Sequence, residues 1–101
     1  FSGYSEVLMI KFENDDEFLE WCSTNPSAFV VNTRKPRADP GYFVLHRSSC
    51  SSLKATDRCA DGAFTERSYQ KWGASDVAEF LPEMRIERIA DFSRRCSRCA
   101  P

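Results

Sequence analysis

The feature that most constrains this chain is a set of four metal-ligand residues, arranged as two close pairs at distant positions. His46-Arg-Ser-Ser-Cys50 is an H-x3-C pair and Cys96-Ser-Arg-Cys99 is a C-x2-C pair. Zinc takes four nitrogen or sulfur ligands at tetrahedral geometry, and small domains supply them as two close pairs from separate segments. A tight turn lets C-x2-C aim both thiolates at one ion. H-x3-C leaves a strand with the imidazole and returns a thiolate from the following turn. The expected site is therefore Zn2+ held by His46, Cys50, Cys96 and Cys99, joining mid-chain to a C-terminus that would otherwise fray.

Other uses of these residues exist. C-x2-C can be a redox pair, but the thioredoxin-like βαβ context is missing. A secreted disulfide framework is disfavoured by an odd count of five cysteines and by an N-terminus, Phe1-Ser2-Gly3-Tyr4, that does not read as a secretory signal. A reducing, cytoplasmic setting is the expectation. His46 could instead be an ordinary strand-end residue, with Cys59 as fourth ligand. Cys22 falls on the apolar side of an expected helix and reads as a buried core thiol.

At 101 residues the chain fits one domain with a modest core, and the missing initial Met suggests a piece of something larger. No run approaches the ~20 apolar residues that cross a membrane, so no membrane partner is expected. The net charge of −1 conceals an uneven distribution. Residues 1–28 set Lys11 against six carboxylates, a balance of −5, whereas 29–72 hold eight cations against four anions, a balance of +4. The C-terminal segment places Arg94, Arg95 and Arg98 around the C-x2-C pair. Such asymmetry marks a surface that can meet phosphate, although solvated faces of mixed charge look similar.

Hydrophobic patterning predicts a strand over Glu6–Phe12. Asn14 with Glu17 then forms a capping box opening a helix that carries Phe18, Leu19 and Cys22, with Trp21 at its edge, and ends at Asn25-Pro26. Strands are expected at Phe29–Asn32 and Tyr42–His46, with a basic turn over Arg34–Gly41 between them. A polar loop over Ser48–Asp61 and a strand within Phe64–Trp72 follow. Asp76 and Glu79 cap a short helix whose length Pro82 limits, and Arg85–Ile89 reads as a last strand. The expected fold is α+β, a small and mainly antiparallel sheet with two short helices, its C-terminus tied by one structural zinc. The whole of 1–101 is one zinc-stabilised domain.

The spacing His46-x3-Cys50, followed at domain distance by Cys96-x2-Cys99-Ala-Pro101, resembles the H-x3-C…C-x2-C-x-P pattern of Ada-like zinc-binding domains. These are attached to bacterial nucleases and other DNA-handling proteins. The resemblance covers residues 42–101, including an aromatic strand at Tyr69–Trp72 and a short helix at Asp76–Leu81. It implies a zinc-stabilised module working with DNA repair, restriction or defence enzymes. The Ada regulator's own domain uses four cysteines, one of which accepts a methyl group from a DNA phosphotriester. Here His46 takes one ligand place, which lowers the negative charge on the complex and makes the remaining thiolates less nucleophilic. A structural zinc is expected, without methyl transfer.

Two functions follow. The first is a DNA-binding accessory module, with Arg34, Lys35, Arg37, Arg47, Lys71, Arg94, Arg95 and Arg98 as phosphate contacts. Tyr42, Phe43, Tyr69 and Trp72 would stack on unpaired bases if they face outward, although core packing is the expectation for Phe43 and an equal alternative for Trp72. The second is a scaffold whose acidic front meets a basic protein surface and positions a catalytic partner. No enzyme activity is expected. The only histidine is committed to zinc, four protein ligands close its coordination sphere, and no Gly-rich phosphate loop is present.

Overall fold

The computed structural model describes residues 9–51, 65, 66 and 68–101. Five strands form one mixed sheet in the order β1-β4-β2-β3-β5, with β1 at Met9–Phe12, β2 at Phe29–Arg34, β3 at Val44–Arg47, β4 at Tyr69–Ala74 and β5 at Arg94–Arg95. The β1–β4, β4–β2 and β2–β3 pairs are antiparallel, and only the short β5 runs parallel to its neighbour β3. Helix α1 spans Asp15–Thr24; a 3-10 turn at Val77–Phe80 runs into α2, Leu81–Ile86. This is the expected α+β architecture, mainly antiparallel with two short helices.

The helix ends follow local chemistry. The Asn14 side chain accepts the Glu17 N–H at 3.0 Å, and Asp15, Asp16 and Glu17 sit at the positive end of the helix dipole. Asp76 and Glu79 form the reciprocal capping box that the sequence implied. Two expectations need correction. Pro82 does not limit the helix but opens it, occupying the first turn of α2, where its missing N–H has no intrahelical partner to lose. Arg85–Ile89 is not a strand: Arg85 and Ile86 finish α2, and Arg88 adopts φ 61°. There the Arg88 N–H bonds the Arg85 carbonyl and the Ile89 N–H bonds the Met84 carbonyl, a Schellman ending that buries Ile89 on Met84. The last strand is instead the two-residue β5. In the expected first strand, Glu6 to Leu8 lie outside the described residues, as do Phe64 and most of the Ser48–Asp61 loop.

Period-2 alternation divides the sheet into two faces. Val31, Leu45, Trp72 and Ala74 point to the face covered by α2 and the 3-10 turn, where they join Phe43, Phe80, Met84 and Ile89 in one buried cluster. The Trp72 ring meets Phe43 edge-on at 5.0 Å, and Phe43 stacks on Phe92 at 5.7 Å. The opposite face carries Phe12, Val30 and Gly73 under α1. Phe18, Cys22 and Cys50 complete that second cluster, with Trp21, Cys96 and Cys99 packed at its edge. Gly73 is required by close approach, since a Cβ there would fall 2.7 Å from Phe12 and 2.9 Å from Trp21.

Candidate metal centre

β3 supplies His46, the turn after it supplies Cys50, and the turn after β5 supplies Cys96 and Cys99. The parallel pairing of Val44 with Arg94 and Leu45 with Arg95, extended by the Cys96 N–H bonding the Leu45 carbonyl at 2.8 Å, brings Cys96 beside His46. The Cys50 N–H closes its turn on the Arg47 carbonyl at 3.0 Å, and the Ala100 N–H closes the C-terminal turn on the Cys96 carbonyl at 3.0 Å. One candidate ligand atom from each of His46, Cys50, Cys96 and Cys99 then lies within 4.8 Å of all the others. The alternative fourth ligand, Cys59, lies outside the described residues.

The donor set fits a metal ion on two counts. The sulfurs of Cys50 and Cys96 are 3.8 Å apart, in hydrogen-bond contact and not joined by a disulfide. Two thiolates at ~2.3 Å from a tetrahedral zinc would be separated by about 3.8 Å. In addition, Nδ1 of His46 is buried and has no hydrogen-bond partner among the described residues, a costly state for an imidazole nitrogen unless a Lewis acid meets it. The four side chains form a group that can hold a metal ion, with a donor set consistent with zinc.

The surrounding electrostatics prepare these ligands. Burial, followed by the positive charges of Lys71 and Arg94, lowers the His46 pKa to about 4, so the ring is neutral and able to coordinate at pH 7. Burial works against the Cys96 thiolate. The N–H groups of Cys99 and Arg98, assisted by the Cys50 and Cys99 thiols, outweigh it and bring the pKa down to about 7. Cys99 goes the other way, to about 11. Burial and the neighbouring Cys50 and Cys96 sulfurs raise it against the opposing Arg47 N–H, which lies 3.2 Å from its sulfur. Sulfurs packed this closely release their protons in sequence, and a bound cation removes the penalty for the later ones.

The proposed phosphate contacts divide sharply. Arg94, Arg95 and Arg98 are exposed and line one cavity of about 270 Å³ with Val44, His46, Cys96 and Ser97. Among the described residues, none of the three pairs with an Asp or Glu side chain, and Arg95 donates to the main-chain oxygen of Pro101 at 3.3 Å. Arg47 is exposed too, yet its Nε and a terminal nitrogen bond the Cys99 and Ala100 carbonyls at 2.8 and 3.1 Å. It fastens the C-terminal turn instead of joining Arg98. Arg34 is exposed, lies over the Tyr42 ring at 4.7 Å and sits 3.9 Å from Asp39; Tyr42 in turn meets Tyr69 at 5.9 Å. Arg37 is exposed, while the half-buried Lys35 donates to the Thr65 carbonyl.

Two candidates are corrected by burial. Trp72 has no exposed surface, because alternation along β4 aims it into the α2-side core, so its ring is closed to a base. Lys71 is only 4% exposed; its ammonium donates to the Asn32 side chain at 2.8 Å and faces the rings of Tyr69 and Phe18. Neither is a surface phosphate contact. Val44 and Ser97 were not foreseen as cavity residues. The signal was present, since Val44 shares a strand face with His46 and Ser97 lies inside the C-x2-C pair.

Comparison with protein-family models, curated proteins and solved structures finds no match for this chain. Among the described residues, no helix is long and apolar enough to cross a membrane.

Proposed function

We propose that this chain is a zinc-stabilised accessory module that binds DNA along the β3–β5 edge. The observation that carries the reading is the cavity beside the metal group, walled by Arg94, Arg95 and Arg98 without Asp or Glu partners among the described residues. Clustered guanidinium groups left open to solvent repel one another and reward an anion that bridges them. Arg34 and Tyr42 extend this character along the sheet: β2 pairs with β3, β3 with β5, and a cation–aromatic pair stands about one two-residue step from the row of Val44 and Arg94. The resemblance of the ligand pattern to Ada-like domains supports DNA, in a bacterial repair, restriction or defence system, as the nucleic acid.

Zinc would be held by His46, Cys50, Cys96 and Cys99 and would supply structure. Four protein donors fill a tetrahedral sphere, leaving no position for a substrate or a reactive water, so the module binds and does not catalyse. The test is a titration of zinc-loaded protein with duplex and single-stranded DNA at several salt concentrations. Engagement of three phosphates predicts log–log salt slopes of about −2 to −3, and conversion of Arg94, Arg95 and Arg98 to alanine should flatten them. Absence of binding to both forms at low salt would refute the reading.

A second reading is favoured by one other surface. Ile10, Phe12, Trp21 and Thr24 line a groove of about 350 Å³ whose rim carries Glu17 and Glu20. Apolar floor and acidic rim suit a basic protein segment, as for a scaffold that positions a catalytic partner. Converting Glu17 and Glu20 to lysine should preserve or strengthen DNA binding. A loss of DNA binding on that reversal would point away from the arginine edge.

A further inference from the structure

Resting on the DNA-binding reading, we infer that the arginine cavity is a receptor for a terminal phosphate monoester, the phosphorylated end of a DNA strand, in preference to an internal phosphodiester. Three features of the cavity carry this.

The first is charge. Zinc with three thiolates and a neutral imidazole has one net negative charge, whereas the cavity beside it is lined by three arginines. Neutralising the metal centre uses one positive charge and leaves two. A phosphate monoester carries about −1.5 to −2 at pH 7, which matches that remainder; a diester carries a single charge.

The second is the number and placement of donors. Arg94, Arg95 and Arg98 come from one stretch of five residues and line one cavity, with Val44 on the β3 side. Arg95 is steadied by the Phe92 ring at 5.4 Å and by the Pro101 carbonyl at 3.3 Å. Guanidinium groups bind phosphate oxygens in pairs of N–H donors, and a monoester offers three terminal oxygens where a diester offers two.

The third is the form of the site. A terminal phosphate enters with one strand only, so it needs a wall on one side and an opening on the other. Here the wall is made by the β3 side at Val44 and His46 and by the turn from Cys96 to Arg98, which the Cys99 and Ala100 carbonyls fasten to Arg47. A concavity of about 270 Å³ is small for a drug-sized ligand but large enough for a phosphate group with its adjoining sugar.

The experiment is fluorescence anisotropy on the full zinc-loaded chain, using one short single-stranded DNA sequence with a 5′-phosphate, a 3′-phosphate or hydroxyls at both ends. At least one phosphorylated form should bind on the order of tenfold tighter than the hydroxyl form, as expected for losing a charge-assisted contact. Arg94→Ala with Arg98→Ala should abolish that preference, while Arg34→Ala should weaken all three DNAs and preserve the ratio. Zinc content and melting temperature of each variant identify any that have simply lost the fold, and Arg94→Lys offers a milder second variant. Equal affinity for all three ends would overturn the terminal-phosphate inference and leave the DNA-binding reading standing. Failure of all three to bind would remove both. A phosphoserine peptide serves as the comparison ligand, and tighter binding of that peptide than of phosphorylated DNA would overturn the nucleic-acid assignment.

Discussion

The two faces of this sheet are held by different physics. On the α2 side, nine buried residues led by Trp72, Phe43 and Phe80 make a continuous apolar cluster closed by a Schellman ending. Facing α1, the apolar cluster is smaller, and toward the β3–β5 edge it gives way to Cys50, Cys96 and Cys99. The last strand there pairs over only two residues, and both are exposed. Two residues of parallel ladder do not order a chain end unaided. The first region is stabilised by removing apolar surface from water, whereas the second has less such burial and carries the His/Cys group that can hold a metal ion. The arginine cavity lies on this second region.

The strongest way to break the comparison is to withdraw the metal. Structural zinc contributes on the order of 10 kcal/mol in small domains, about the whole net stability of a fold of this size. A strong chelator, or Cys96→Ser, is expected to unfold the entire chain. β4 lies between β1 and β2, so the loss cannot be confined to residues 42–101 once β3 and β4 are released. Circular dichroism and metal analysis of freshly reduced protein check this. A melting temperature indifferent to chelator, or no stoichiometric zinc, would remove the metal from the account.

The second test attacks the other region. Phe80→Ala empties a fully buried position between Phe92 and the sheet, and should cost about 3–5 kcal/mol. The folded fraction should retain its full zinc complement, because Phe80 belongs to the α2-side cluster and not to the ligand-bearing one. Denaturant unfolding with parallel metal analysis measures both quantities. Loss of zinc from folded protein would mean that the faces are less distinct than their contacts imply.

Acid tests the ligand-bearing region without mutation. The His46 pKa is lowered, by burial first and by Lys71 and Arg94 second, to about 4 from an ordinary 6.5. Between those values the unfolded chain binds a proton that the folded chain does not. Stability is therefore full above about pH 6.5 and falls as pH drops toward 4. Protonation of the thiolates displaced from zinc acts in the same direction. Zinc release and unfolding, followed together from pH 7 to 4, should coincide in that window. A zinc-loaded protein unaffected down to pH 4 would contradict His46 as a ligand.

How far these regions could be read in advance depended on how local their determinants are. The ligand pairs were legible because each is a short spacing that a single turn closes. The capping residues Asn14, Asp76 and Glu79 were legible for the same reason. Pro82 was misjudged because proline both ends and begins helices, and only the 3-10 turn before it decides which. Arg85–Ile89 carries the β-branched Ile86 and Ile89, which suit a strand, yet their spacing of three is not strand alternation, and Ile89 serves as the apolar partner of Met84 in a helix ending. Trp72 required knowledge of which β4 face was covered, a property of the whole sheet. The role of Arg47 in holding the Cys99 and Ala100 carbonyls likewise depends on a turn 52 residues away in sequence.

The smallest expected effect asks whether the two regions, different in chemistry, still unfold as one unit. Each contains one non-glycine residue in the left-handed backbone region: Arg88 at φ 61° where α2 ends, and Ala100 at φ 47° where the C-terminal turn closes. That conformation costs roughly 1 kcal/mol for a residue with a Cβ, part of which glycine returns through its freer unfolded chain. Arg88→Gly and Ala100→Gly should therefore each stabilise by up to about 1 kcal/mol, raising the melting temperature by no more than ~4–8 °C in a domain this size. If the sheet couples its faces, both substitutions will also shift the chelator concentration at half-unfolding by similar amounts, although only Ala100 lies near the ligands. A shift confined to Ala100→Gly would show that the metal edge opens by itself, making the arginine cavity a site that forms and dissolves independently of the core behind it.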